Sequence, residues 1–146
     1  ESELRTLIRN EFFTEAIDEE IDYCLNAMLL DIPSERLQLL EGLKNKFDLF
    51  LLSNTNSIHF RKFNEIASQS GIREIDSYFS KAYYSHLIRM RKPDPEIFEK
   101  VIQENGLHAS KTLFIDDNLS NIEGARKLGI NTVHLTNPNQ LFELFR

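Results

Sequence analysis

The stretch TLFIDD, Thr112 to Asp117, decides how the rest of this chain is read. Four strand-favouring residues run straight into two carboxylates, so a strand buried on both faces ends in a charged loop. Ser120 and Glu123 then offer a capping box for a helix that Gly129 closes. NTVHLT, Asn131 to Thr136, supplies the next strand. Strand, helix and strand at this spacing make a parallel crossover unit.

The same rhythm extends outward. Asp94 and Pro95 suit the N-cap and first position of a helix whose buried face is Ile97, Phe98, Val101 and Ile102, ended by Asn105-Gly106. KAYYS, Lys81 to Ser85, reads as a strand, and so does DLFLLSN, Asp48 to Asn54. A helix over roughly 59–70, stopped by Gly71, separates them, and Asn137-Pro138 starts the last helix. Alternating strands and helices predict an α/β fold, a parallel sheet with flanking helices, over residues 47–146.

Residues 1–46 carry helical spacing alone. Leu4, Leu7, Ile8 and Phe12 predict a helix over Ser2 to Phe13. Thr14 is placed to cap a second, striped by Ile17, Ile21, Cys24 and Met28, and Pro33-Ser34 opens a third with Leu37, Leu40 and Leu43 inward.

The 146 residues are 41% hydrophobic and 27% charged, the balance of a packed globular chain. A net charge of −6 leaves no basic surplus for nucleic acid or an anionic membrane surface. No apolar run has the length of a membrane span. The lone Cys24 has no partner for an internal disulfide, which makes a reducing cytoplasm the expected compartment.

In an open parallel sheet, ligands bind beyond the carboxyl ends of the strands. Three clusters stand there. Ser53-Asn54-Thr55-Asn56 offers a hydroxyl and backbone N–H groups to a phosphate oxygen, or caps the following helix. Lys92, in RKPDPEIF, is kept out of helical conformation by Pro93 and presents its ammonium either to a phosphoryl group or to solvent. Asp116-Asp117 places two carboxylates side by side, a pair that a hard divalent cation such as Mg²⁺ would reconcile, or that serves as a polar capping loop. Together, a hydroxyl, a lysine and an acid pair meet the needs of phosphoryl transfer: anchor, charge neutraliser and metal site. No other strand ends in a convincing nucleophile.

LLSNTN, RKPDPEIF and LFIDDN, in this order and at these spacings, resemble the second, third and fourth motifs of the haloacid dehalogenase (HAD) superfamily, in its branch of small capped sugar-phosphate phosphatases. The resemblance implies a HAD-like Rossmannoid core over 47–146 and, over 1–46, the remainder of a helical cap with its return helix. It implies that Ser53, with Asn54, binds the transferring phosphoryl group and that Lys92 stabilises the nucleophile and the phosphate charge. Asp117 would bind Mg²⁺ directly and Asp116 directly or through water, with Asn121 steadying the loop. The substrate would be a small phosphorylated metabolite. Dehalogenating members generally lack this acid pair, so it favours a phosphatase. Arg89 stands where the family often has a glycine before the lysine motif.

The family's first motif, a DxDxT-type strand end whose leading aspartate is the nucleophile, does not occur in these residues. The expectation is a longer protein whose preceding segment carries that strand at the sheet centre, with the 146 residues alone inactive. A two-component receiver domain also combines an acid pair, a hydroxyl and a Lys-Pro, but there the acid pair comes first. A non-catalytic HAD-like binding protein, a dehalogenase and a phosphomutase are the remaining alternatives.

Overall fold

The computed structural model describes residues 1–72 and 74–146. The chain divides into two compact units, Glu1–Leu87 and Ile88–Arg146. The architecture is the expected α/β one, with parallel strands and flanking helices.

The first unit opens with α1 (Ser2–Phe12), α2 (Asp18–Asn26) and α3 (Ser34–Lys44). It continues with β1 (Phe50–Ser53), α4 (Ser57–Gln69), a 3₁₀ turn at Ile75–Tyr78 and β2 (Lys81–Tyr84); the short α5 (Ser85–Ile88) ends on the first residue of the second unit. β1 and β2 pair in parallel, Phe50 opposite Lys81 and Ser53 opposite Tyr84. Ile58 on α4 and Tyr83 on β2 are fully buried. Ala67, Ile72 and Ile75 form a second cluster, on which Ile32, Leu37, Phe63, Tyr78 and Phe79 pack.

The helical expectations need two corrections here. Thr14 does not cap α2: the helix starts at Asp18, and Thr14 Oγ1 instead accepts from the Ala16 amide at 3.2 Å, closing a local turn. Of the proposed stripe, only Ile21 is buried; Ile17, Cys24 and Met28 are exposed. What joins α1 to α2 is polar. Arg5 donates two hydrogen bonds to the Asp22 carboxylate, both 2.8 Å, and meets Asp18 at 3.2 Å.

The second unit holds α6 (Pro95–Glu104), a 3₁₀ turn at Ala109–Lys111, β3 (Leu113–Asp116), α7 (Leu119–Lys127), β4 (Asn131–His134) and α8 (Gln140–Leu144). β3 and β4 are parallel, with Asp116 opposite His134. Ile97, Phe98 and Val101 of α6 are buried as the spacing predicts, whereas Ile102 is only half-buried; Ile122 and Ala125 of α7 are buried too. Gly71, Gly106 and Gly129 follow α4, α6 and α7 with φ of 79°, 60° and 76°, the left-handed turn that ends a helix.

Two helix starts in this unit differ from expectation. Asn118 rather than Ser120 caps α7, its side chain accepting from the Ser120 amide at 2.9 Å, so the Ser120–Glu123 box is not used. α8 begins at Gln140, three residues after Asn137. Gln140 Oε1 accepts from the Thr136 and Asn137 amides at 2.8 and 3.1 Å, which holds Asn137 in the turn outside the helix. Among the described residues no helix is long and apolar enough to cross a membrane.

Candidate active site

The carboxyl end of β3 gathers most of the expected residues. Lys92 Nζ donates to Asp116 Oδ2 at 2.7 Å, and both side chains are about nine-tenths buried. The other carboxylate oxygen, Oδ1, accepts from the Asn118 amide at 2.8 Å and from Asn121 Nδ2 at 2.9 Å. Asn121 is itself buried. Burial pushes the Asp116 carboxyl up, but donation from Lys92, then from the Asn118 amide and Asn121, outweighs it and holds the group below its ordinary value.

Asp117 lies one residue on and faces solvent. Its main-chain carbonyl accepts from His134 Nε2 at 3.0 Å, so β4 fixes the peptide that aims the side chain. The adjacent acids therefore divide their work. Asp116 is committed to nitrogen donors on both oxygens, and Asp117 presents its carboxylate outward.

Ser53 ends β1 in the other unit, and Asn54 is the first residue of the loop that follows. The loop after them is fixed by Asn56, whose Oδ1 accepts from the Ile58 and His59 amides, both at 3.0 Å. The capping reading of this cluster thus holds for Asn56. Ser85 adds a second tie, accepting from the Thr55 amide and donating to the Thr55 carbonyl, each at 2.9 Å.

Arg89 has φ of 56°. The position where the family often carries glycine adopts the left-handed conformation that glycine favours, and here an arginine adopts it.

Two contributors escaped the sequence reading. Phe114 lies beneath the Lys92 ammonium, 5.5 Å from Nζ to the ring centroid, and meets Phe98 edge-on at 5.2 Å. The strand period held the signal, because Phe114 and Asp116 share one face of β3. The Asn118 amide is the other, an Asx-type turn that Asp116 forms with the residue two places on.

The donor set suits a hard cation in part. Asp117 offers an exposed carboxylate oxygen beside a second acid, as Mg²⁺ prefers. Among the described residues no group of three or more His, Cys, Asp or Glu side chains stands together, so the rest of a coordination shell would be water and groups of other kinds.

A family model described as haloacid dehalogenase-like hydrolase matches residues 2–129. The chain belongs to that family. Among HAD relatives, a D-ribitol-5-phosphate phosphatase of Bacteroides thetaiotaomicron is 32% identical over 102 residues, covering 70% of this chain and 50% of that protein. The crystal structure of a HAD family enzyme from the same organism superposes with a TM-score of 0.90 at 37% identity, over 99% of this chain and 71% of the other. A wild-type structure of that enzyme in complex with magnesium and inorganic phosphate gives 0.84 at 35%, over 99% and 73%. The chain spans about half the length of the curated relatives it matches.

Proposed function

We propose that these residues form part of a Mg²⁺-dependent phosphohydrolase acting on small phosphate monoesters, such as sugar or polyol phosphates, through an aspartyl-phosphate intermediate. Residues 1–46 are the trailing part of the helical cap, and 47–146 are the core without its first strand. The observation that carries this reading is the division of labour at the end of β3. A buried lysine is held on Asp116, and Asp117 stands outward beside it.

In this reading Ser53 and Asn54 bind the phosphoryl oxygens through hydroxyl and amide hydrogen bonds. Lys92, fixed in direction by its bond to Asp116, offsets the charge that develops on the phosphoryl group and on the attacking carboxylate. Asn121 and the Asn118 amide keep Asp116 in place. Asp117 would hold Mg²⁺ directly, and Asp116, already committed to nitrogen donors, would do so directly or through water. Bound Mg²⁺ supplies the positive charge that neutralises phosphate oxygens.

The nucleophilic aspartate lies in chain outside these residues. Two observations support this: the 146 residues contain no DxDxT-type strand end, and β1 and β3 each pair with a single strand among the described residues. The lone, exposed Cys24 supports a reducing, cytoplasmic setting.

The test is phosphate release by the full-length protein from a panel of sugar and polyol phosphates, with and without a chelator. Turnover lost in chelator and restored by Mg²⁺ is expected. Full activity in chelator, or halide release from a haloacid in place of phosphate release, would overturn the proposal. Isomerised phosphate ester without free phosphate would identify a mutase, and no turnover with retained phosphate binding would identify a binding protein.

A further inference from the structure

Gly124 sits in α7, one turn after Asn121, and is buried. A Cβ built on it would lie 2.5 Å from the Pro93 carbonyl oxygen, closer than real Cβ atoms approach a backbone oxygen. It would also stand 3.2 Å from Pro93 Cβ and 3.2 Å from Phe98 Cε2. Glycine normally weakens a helix interior by about 1 kcal/mol relative to alanine. Its place in the middle of α7 therefore calls for a reason, and the approach of Pro93 supplies one.

Both neighbours lead to Lys92. Pro93 follows it directly in the chain, so displacing the Pro93 carbonyl moves the Lys92 backbone. Phe98 rests edge-on against Phe114, and Phe114 lies under the Lys92 ammonium. On the same helix Asn121 holds the other end of the pair, donating to Asp116 at 2.9 Å. One helix thus grips both members of the Lys92–Asp116 couple.

We propose that Gly124 is a positioning residue. By carrying no side chain, it seats the Pro93 carbonyl against α7 and thereby keeps Lys92 on Asp116. The value of this to catalysis rests on the phosphatase reading, but the positioning itself does not.

The test reads Lys92 directly. Full-length wild type, Gly124→Ala and Gly42→Ala are treated briefly with an amine-acylating reagent, and each lysine is quantified by mass spectrometry. Gly42, in α3, has nothing within 4 Å of an added Cβ and serves as the control. In wild type and Gly42→Ala, Lys92 should be acylated at least tenfold more slowly than exposed Lys127. In Gly124→Ala, Lys92 should rise at least fivefold, with Lys62 and Lys127 unchanged.

A folded Gly124→Ala that still protects Lys92 as wild type does would overturn the proposal, and so would an equal rise at every lysine. Gly124→Ala/Phe98→Leu removes the close ring contact but keeps the Pro93 clash. Lys92 should remain reactive in it. Restored protection there would place the effect in Phe98 and sink the role assigned to Pro93. If the phosphatase reading alone is wrong, the acylation pattern still holds while wild type itself releases no phosphate.

Discussion

Lys92 Nζ and Asp116 Oδ2 stand 2.7 Å apart in the Ile88–Arg146 unit, each side chain withdrawn from water. Removing one member of such a pair strands a charge, at a cost of about 3–5 kcal/mol. Asp116→Ala should therefore destabilise the full-length protein by about 3 kcal/mol in urea unfolding. Lys92→Met/Asp116→Leu, which removes both charges, should lose less than Asp116→Ala alone. Asp117→Asn makes the contrast. Its side chain is exposed, so stability should stay within about 0.5 kcal/mol of wild type. Mg²⁺-dependent phosphate release should nonetheless be abolished. An Asp117→Asn protein that turns over normally would remove Asp117 from the metal site.

Arg89, at φ of 56°, holds a conformation that costs a side-chain-bearing residue roughly 1–2 kcal/mol. Glycine avoids that cost but has more conformational freedom to lose on folding. Arg89→Gly should thus be neutral or stabilising by up to about 1 kcal/mol. Arg89→Val, β-branched at the same dihedral, should be destabilising by more than about 1 kcal/mol. Thermal unfolding of the two variants decides it, and equal losses in both would show that the dihedral is not what matters.

The hydrogen bond from Arg5, together with the charges of Arg5 and Arg61, holds the Asp22 carboxyl below its ordinary value. A carboxylate whose pKa is lowered on folding contributes stability that is fully present above its unfolded value, about 3.9. That contribution fades as pH falls through the lower folded value. Amide protection factors in α1 and α2, corrected for intrinsic exchange at each pH, should accordingly fall below about pH 4, ahead of those in α6 and α7. Asp22→Asn should already exchange faster at pH 7 and lose this part of the pH dependence. An unchanged profile in Asp22→Asn would show that the Arg5 contact contributes nothing.

Expressed alone, residues 1–146 should release no phosphate from any substrate and should unfold at low temperature or aggregate. β1 and β3 each have one strand partner among the described residues, and two-stranded sheets are marginal in water. Each buried N–H or C=O left without a partner costs about 1–3 kcal/mol, against a typical domain stability of about 5–15 kcal/mol. Light scattering and calorimetry on this fragment check the claim. A monomeric, cooperative, high-melting fragment would refute it.

What the sequence disclosed well was whatever is written in consecutive residues. The apolar runs ending at Ser53 and Asp116 became β1 and β3, and Ile97, Phe98 and Val101 became the buried face of α6. The acid pair and the lysine were singled out because residues at and beyond strand ends in parallel sheets are where ligands bind, and the structure joins Lys92 to Asp116. Helix starts were less so, since neighbouring polar side chains compete for the same free amides. Asn118 took the Ser120 amide that Ser120 and Glu123 were expected to organise. The stripe on α2 was misjudged because helical period does not say what covers the face. Arg5 and Asp22 do that joining instead. Gly124, Phe98 and Phe114 bear on Lys92 across gaps in the chain, and no local pattern encodes such a contact.

Each strand pair is closed by one crossover: Phe50 meets Lys81 across α4, and Leu113 meets Asn131 across α7. Neither pairing borrows a residue from the other, and the residues of the first unit all precede those of the second. On a ribosome, then, the β1–β2 ladder is complete in sequence at Tyr84, before β3 begins at Leu113. At roughly 5–20 residues per second, that interval lasts about 1–6 seconds. Helix formation and local collapse take far less time than that. The residues of the first unit therefore meet one another, and chaperones, before β3 has been translated, while their two-stranded ladder is still marginal by itself.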